Sequence, residues 1–180
     1  PTGPERLLTD RNSGSDDVYE LEVPDPRVFT EAAGNRWITQ RIGYVWIDPA
    51  YWQDFHIPVF KGGVQVGTAA ARPINVVFDP GVDGVEAIGC DDDAALPYDP
   101  ARHHWDQDKS CAFVYFVSSR YRPSQVYRAR VWVRWDVVAT LDDGDVVPID
   151  PRESETVVSI RVEEIQSLIS CVGRNAQACR

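Results

Sequence analysis

Hydrophobic and polar residues alternate most regularly between Gln125 and Thr140. One set of alternate positions is apolar and the other is mainly charged: the first holds Tyr127, Ala129, Val131, Val133, Trp135 and Val137, and the second holds Arg128, Arg130, Trp132, Arg134 and Asp136. Successive side chains of a β-strand point to opposite faces of its sheet, and no helical period fits this stretch as well. The pattern therefore predicts a long strand whose odd-numbered residues from Tyr127 to Val137 line the core, in an antiparallel sheet with one face in water.

Shorter β-prone segments lie on both sides of this strand. Apolar and β-branched residues predict strands in the ranges 18–23, 36–48, 111–118 and 156–163, and two further strands around Gly67 and Pro73 within 59–78. Asp48 before Pro49 predicts one short helical turn with Asp48 as its N-cap. After Glu163 the alternation breaks, which fits either a β-bulge or a closing helical turn. About seven to eight strands with almost no helix predict an all-β fold, an antiparallel β-sandwich.

The chain of 180 residues divides into one domain and two flanking segments. Residues 1–17 are rich in Pro, Gly, Ser and charged residues, so we expect a flexible lead-in there. Residues 18–170 are expected to form the single sandwich domain, which is long enough to bury a substantial core. Residues 171–180 are expected to form a C-terminal tail closed by a disulfide. No signal peptide is visible, so the protein is either cytosolic or has lost its targeting segment.

The four cysteines, Cys90, Cys111, Cys171 and Cys179, form no C-x-x-C motif. Of the three possible pairings, the economical one joins Cys90 to Cys111 and Cys171 to Cys179. The first bond would staple the irregular connection 81–110, which at about 30 residues is much longer than most loops. Because disulfides persist in oxidising compartments, we expect a secreted or cell-surface protein. Four unrelated thiols in a cytosolic protein remain the alternative.

The net charge of −10 disfavours several kinds of partner. An acidic surface repels phosphate backbones and anionic lipid headgroups, so nucleic acid is not an expected partner. No apolar run approaches the ~20 residues that span a bilayer. The phosphate-binding pattern G-x-x-x-x-G-K-[ST] is missing, so we expect no nucleotide, and no other cofactor is indicated.

Two polar clusters could ligate a metal ion. His103 and His104 precede Asp106 and Asp108 and could hold zinc, while the Asp91, Asp92 and Asp93 run could bind calcium together with Asp83 and Asp99. Adjacent histidines point apart on an extended segment, however, and the spacing of an EF-hand is missing. We therefore favour solvated polar loops for both clusters. Neither G-x-S-x-G nor another complete catalytic constellation is found, so an enzyme is not expected.

A series of motifs in the chain resembles a known group of proteins. YVWIDPAYW and ARPINVVFDPG are followed by CAFVYFVSS, YRARVWVRWDV, DDGDVVP and VSIRVEEIQS. In this order they resemble secreted β-sandwich proteins of high-GC Gram-positive (actinobacterial) bacteria, over about residues 19–170. Members of that group are often automatically labelled "ATP/GTP-binding protein", although this chain has no phosphate-binding loop. The resemblance implies an exported, immunoglobulin-like domain, and the function of the group is unsettled.

The outward residues of the long strand are the best candidates for a binding surface. They are Arg128, Arg130, Trp132 and Arg134, and arginine and tryptophan are enriched in interface hot spots. We expect a non-catalytic extracellular or cell-envelope domain that binds another macromolecule, a protein or a polysaccharide of the envelope. Alternatively, the arginines pair with acidic residues of neighbouring strands. A carbohydrate-binding module, or a carbohydrate-active enzyme with an unrecognised carboxylate pair, is the second candidate function, and an open groove with aromatic faces and converging carboxylates would favour it.

Overall fold

The computed structural model describes residues 19–30, 36–90, 95–107 and 111–164. These residues form nine strands, β1 (Val28–Thr30), β2 (Arg36–Ile38), β3 (Ile42–Ile47), β4 (Phe55–Lys61), β5 (Val64–Asp79), β6 (Ile88–Cys90), β7 (Ala112–Val114), β8 (Tyr127–Leu141) and β9 (Val146–Glu163). Single 3-10 turns lie at Pro49–Tyr51, His104–Asp106 and Ser119–Tyr121. The all-β class predicted from the sequence is confirmed. None of the described residues forms a helix long and apolar enough to cross a membrane.

The strands form two sheets. The larger sheet has the order β2-β9-β8-β5-β4. Strand β6 pairs with residues 76–78 of β5, on the same edge of β5 that pairs with β4 through residues 64–71. The smaller sheet has the order β1-β3-β7. Every pair is antiparallel except β2 with β9, which is parallel. Buried residues of both sheets form one hydrophobic cluster, so the predicted sandwich is confirmed.

Strand β8 is the central strand of the larger sheet. It pairs with β5 on one side and β9 on the other over nearly its whole length. Its odd-numbered residues from Tyr127 to Val137 are all buried, as predicted, and Trp135 is completely buried. The Trp135 indole N–H donates to the Ser154 hydroxyl at 2.9 Å, so its polar atom is satisfied inside the core.

Aromatic contacts join the two sheets. Tyr115, which follows β7, packs edge-on against Trp37 of β2 at 5.3 Å between ring centroids. Its ring is tilted against that of Tyr127 of β8, at 4.5 Å between centroids. The Tyr115 hydroxyl donates to the carbonyl of Pro80 at 2.8 Å, and burial raises the pKa of this phenol far above its ordinary value. The Trp37 ring occupies the space beside Gly43 in β3, where an added Cβ would lie 2.1 Å from the indole.

The Cys90–Cys111 disulfide is formed, with the two Cα atoms 5.1 Å apart. Cys90 is the last residue of β6 in the larger sheet, and Cys111 immediately precedes β7 in the smaller one. The bond therefore connects the two sheets as well as the ends of the long connection. The predicted partners Cys171 and Cys179 lie outside the described residues, and the same holds for the lead-in 1–17 and the tail 171–180.

The prediction of two strands around Gly67 and Pro73 is wrong. The hairpin turn lies earlier, at Gly62 and Gly63, whose φ angles of 57° and 77° suit glycine. Strand β5 then runs through Pro73, because a bulge between Pro73 and Asn75 accommodates the missing N–H group. Gly67 lies within β5 close to the backbone of Thr140, where an added Cβ would be 2.4 Å from the carbonyl oxygen.

The remaining differences concern short segments. Four of the nine strands have only three residues and so carry no readable period, which is why about seven to eight were expected. In the described part of the predicted edge strand 18–23, residues 19–23, a single bridge forms, between Glu20 and Phe60. Strand β9 ends at Glu163, and the competing bulge and helical turn after it fall outside the described residues. The expected turn after Asp48 is confirmed, since the Asp48 carboxylate accepts from the Ala50 N–H at 3.0 Å.

Candidate functional site

Arg128, Arg130, Trp132 and Arg134 lie on the outer face of β8 and are called the arginine–tryptophan stripe. Neighbouring strands hold the two central residues of this stripe, Arg130 and Trp132. The Arg130 guanidinium forms an ion pair with Asp79 of β5 at 2.9 Å and lies over the Trp132 ring, 4.8 Å from the centroid. The Trp132 indole N–H donates to the Glu155 carboxylate of β9 at 2.8 Å. Arg130 and Trp132 are therefore fixed in place by cross-strand contacts.

The two ends of the stripe differ from its centre. Arg128 and Arg134 are exposed, and neither guanidinium forms an ion pair or hydrogen bond with any described residue. Arg134 has Glu153 as its register partner on β9, yet no ion pair joins them. The alternative that the arginines only pair with neighbouring strands therefore holds for Arg130 and fails for the two end residues.

The face around the stripe has mixed charge. The outward charged residues of β5, β8 and the facing part of β9 are four arginines and five carboxylates, namely Arg72, Arg128, Arg130 and Arg134 with Asp79, Asp136, Asp150, Glu153 and Glu155. Apolar side chains lie among them: Val157 is 45% exposed and Val138 40% exposed. The strand is basic, but the face it belongs to is amphipathic and nearly neutral.

The two histidines proposed as metal ligands point in different directions. His104 Nε2 lies 2.7 Å from the Ile42 carbonyl oxygen and 3.1 Å from Arg41 Nε, and Nδ1 lies 3.0 Å from Arg41 Nη2 and 3.3 Å from the Tyr98 hydroxyl. His103 Nδ1 instead accepts from the Trp105 N–H and caps a 3-10 turn. His104 therefore fastens the 95–107 segment to β3.

The environment of His104 favours its neutral form. Burial is the main cause that lowers the pKa of this imidazole, and the nearby charges of Arg41 and His103 lower it further. Within the described ranges no three His, Cys, Asp or Glu side chains are grouped so that they could hold a metal ion. Asp91, Asp92 and Asp93, the residues of the calcium hypothesis, lie outside those ranges.

A groove that the sequence did not predict lies at one end of the stripe. It lies at the bulge at Ile74 in β5. A register shift in β9 lies opposite Asp136, at the same level on the other side of β8. This bulge groove has a volume of about 460 Å³ and is lined by Trp52, Gln53, Asp54, Arg72, Pro73, Ile74 and Asp136.

These lining residues come from three distant parts of the chain. Trp52 and Asp54 lie between the first 3-10 turn and β4, Arg72 lies in β5 and Asp136 in β8. Two sequence signals lie here: Pro73 inside a strand-like run, since proline within a sheet marks an edge or a bulge, and Trp52 in an aromatic-rich segment. No family model matches this sequence, and comparison with curated proteins and with solved structures returned no match.

Proposed function

We propose that this chain is a non-catalytic binding domain of the cell exterior and that it contacts a protein partner through the arginine–tryptophan stripe. The observation that carries the proposal is the arrangement of its guanidinium groups. Arg128 and Arg134 are free at the two ends, while Arg130 and Trp132 are held rigidly between them. The partner that fits is a protein surface with carboxylates spaced to meet the two ends and apolar groups between them.

Physical chemistry supports this assignment. Arg128 and Arg134 are six residues apart on one strand, which separates them by about 20 Å, a span typical of a standard protein–protein interface. A free guanidinium offers bidentate hydrogen bonds to a carboxylate. The fixed Arg130–Trp132 pair loses little side-chain entropy on binding, because its conformation is already set. Exposed Val157 on the adjacent strand adds apolar area to the same face.

Two further observations support the non-catalytic role and the location. Guanidinium groups stay protonated at physiological pH, so the stripe contains no group suited to proton transfer. The Cys90–Cys111 disulfide is compatible with an oxidising compartment. The resemblance to secreted actinobacterial β-sandwich proteins is in keeping with the same location. A carbohydrate is disfavoured at the stripe, because the Arg130 guanidinium covers one face of the Trp132 ring.

The experiment compares two double variants that change the net charge equally. Arg128→Gln with Arg134→Gln removes the free guanidinium groups, and Arg36→Gln with Arg120→Gln removes two exposed arginines elsewhere that form ion pairs with Glu163 and Glu164. Exposed ion pairs contribute only about 0–1 kcal/mol, so both variants should stay folded. Each immobilised protein is incubated with an envelope protein fraction from the source organism, and the bound proteins are quantified by mass spectrometry.

We expect a protein that the unaltered domain and the Arg36/Arg120 variant retain equally, and that the Arg128/Arg134 variant retains at least about tenfold less. Binding should also weaken as salt is raised, because the contacts are charge-assisted. Equal retention by the two double variants would show that the stripe is not the contact surface.

A further inference from the structure

The bulge groove carries three charged side chains in a single row across the larger sheet. Arg72 of β5 is the register partner of Asp136 of β8. Asp54 immediately precedes Phe55, whose partner on β5 is Ala71, so Asp54 comes opposite Arg72 on the other side. Neighbouring strands lie about 4.8 Å apart. The row therefore places a carboxylate, a guanidinium and a carboxylate across about 10 Å of surface.

These three side chains do not neutralise one another. Opposite charges on adjacent strands commonly form cross-strand pairs. Here none of Asp54, Arg72 and Asp136 forms an ion pair or a side-chain hydrogen bond with any residue that the structure describes. All three are exposed to solvent at the groove. Their hydrogen-bonding capacity is therefore available to a ligand.

One wall of the groove is apolar and rigid. Trp52 is half-buried, packs against the hydrophobic core and lines the groove. Pro73 and Ile74 line the groove at the bulge. These lining residues are held by the sheet and the adjoining 3-10 turn, so the groove needs little ordering when it binds.

We infer that the bulge groove is a binding subsite for a hexose or N-acetylhexosamine unit of an uncharged glycan. A sugar ring has an apolar C–H face that packs on an indole, and hydroxyl groups that donate to carboxylates and accept from a guanidinium. The volume of about 460 Å³ lies within the usual range for ligand sites. Two carboxylates against one guanidinium leave the groove negative, which disfavours uronic acids relative to neutral sugars.

This inference is separate from the proposed protein contact, because the stripe and the groove share no residue. The test uses hexasaccharides of β-1,4-glucose, α-1,4-glucose and β-1,4-N-acetylglucosamine, with oligogalacturonate as the anionic probe. Binding is followed by calorimetry and by the NMR resonance of the Trp52 indole N–H. We expect at least one uncharged hexasaccharide to bind with Kd below about 1 mM and to shift this resonance, and oligogalacturonate to leave it unchanged.

The variants locate the binding site. Asp136→Asn and Arg72→Gln alter exposed groups only and should weaken binding at least about tenfold, while Trp105→Ala, which removes an exposed tryptophan elsewhere, should bind as the unaltered chain does. Trp52→Ala should abolish binding, and circular dichroism checks that it folds. No shift of the Trp52 indole with any uncharged probe at about 10 mM, or unchanged affinity in the Asp136 and Arg72 variants, would overturn the inference.

The two proposals can fail independently. The Arg128/Arg134 double variant should bind the hexasaccharide with unchanged affinity, and Asp136→Asn should retain the protein partner unchanged. Loss of glycan binding in the stripe variant would mean that the groove is not a separate site.

Discussion

Removal of the Cys90–Cys111 disulfide tests how strongly the two sheets depend on a covalent link. The perturbation is the double variant Cys90→Ala and Cys111→Ala, in a chain where Cys171 and Cys179 are also alanine, so that no other bond can form. Both target cysteines are buried, at 5% and 1% exposure. Alanine keeps these positions apolar, so the main loss is the cross-link itself.

The expected magnitude follows from the length of chain that the bond closes. Cys90 and Cys111 are 21 residues apart. In the chain-entropy treatment a loop of this length removes about 11 cal/mol/K from the unfolded ensemble, or about 3.3 kcal/mol at 25 °C. For a protein of this size each kcal/mol shifts the melting temperature by about 2–4 °C. We therefore expect a loss of about 3 kcal/mol and a decrease in Tm of about 7–13 °C.

The assay is urea denaturation of both proteins with and without a reductant. Reduction should destabilise the chain that keeps Cys90 and Cys111 by about 3 kcal/mol and leave the alanine variant unchanged. The slope of the transition should change little if the native surface is preserved. A stability difference under about 1 kcal/mol, or two thiols that titrate freely in the native protein, would refute this account of the staple.

Two further predictions concern β8 and His104. Val133→Asp should unfold the domain, because a buried valine contributes about 1.5–3 kcal/mol to the free energy of unfolding and a buried, unpaired carboxylate costs several kcal/mol more. Arg134→Asp changes the next residue, which is exposed, and should alter the free energy of unfolding by under about 1 kcal/mol. Circular dichroism decides, and equal tolerance of the two would contradict the assigned faces. Because its pKa is lowered in the fold, neutral His104 stabilises the protein above its unfolded pKa of about 6.5, and this contribution is lost as pH falls below that value. The Gln side chain of His104→Gln can donate to the Ile42 carbonyl, and this variant should show a smaller decrease of Tm between pH 7.5 and 5, a range around that pKa of about 6.5. The control His103→Gln should show the same decrease as the unaltered protein. Identical pH profiles for all three proteins would show that His104 is not linked to folding.

The alternation of residues predicted the central strand because burial follows it without exception. From Tyr127 to Val137 every odd position is in the core, as the period of two requires. The disulfide was also predictable, since Cys90 and Cys111 bracket a connection too long to hold itself. Both inferences depend on information that is local in sequence or fixed by a cysteine count.

The side-chain contacts of the outward residues could not be predicted from the alternation of residues. The sequence shows that Arg130 points outward, but its ion pair with Asp79 depends on which strand becomes the neighbour and in which register. The same register brings Trp132 beside Glu155. As a result, Arg130→Asp, which the alternation alone suggests to be harmless, would place a second carboxylate against Asp79 and leave Trp132 uncovered.

The bulge groove could not be predicted from the sequence because the buried positions change between odd and even numbers within a strand. This change of parity occurs in both strands that flank β8. In β5 the buried positions are odd up to Ala71 and even from Val76, and the extra residue Ile74 accounts for the switch. In β9 the buried positions are odd at Ile149 and even from Ser154, with the register shift between them. Strand β8 keeps a single parity throughout.

These two parity changes explain why the outer face of β8 borders both the stripe and the bulge groove. Without the bulge at Ile74, the even residues Val76 and Phe78 would turn to solvent, because a slip of one residue exchanges the faces of a strand. The bulge therefore keeps both halves of β5 in the core, and it does so at the level where β9 also shifts. The outer face of β8 is divided at this level, between Arg134 in the stripe and Asp136 in the groove. The groove beside the outward stripe thus follows from the bulge that keeps both halves of β5 in the core.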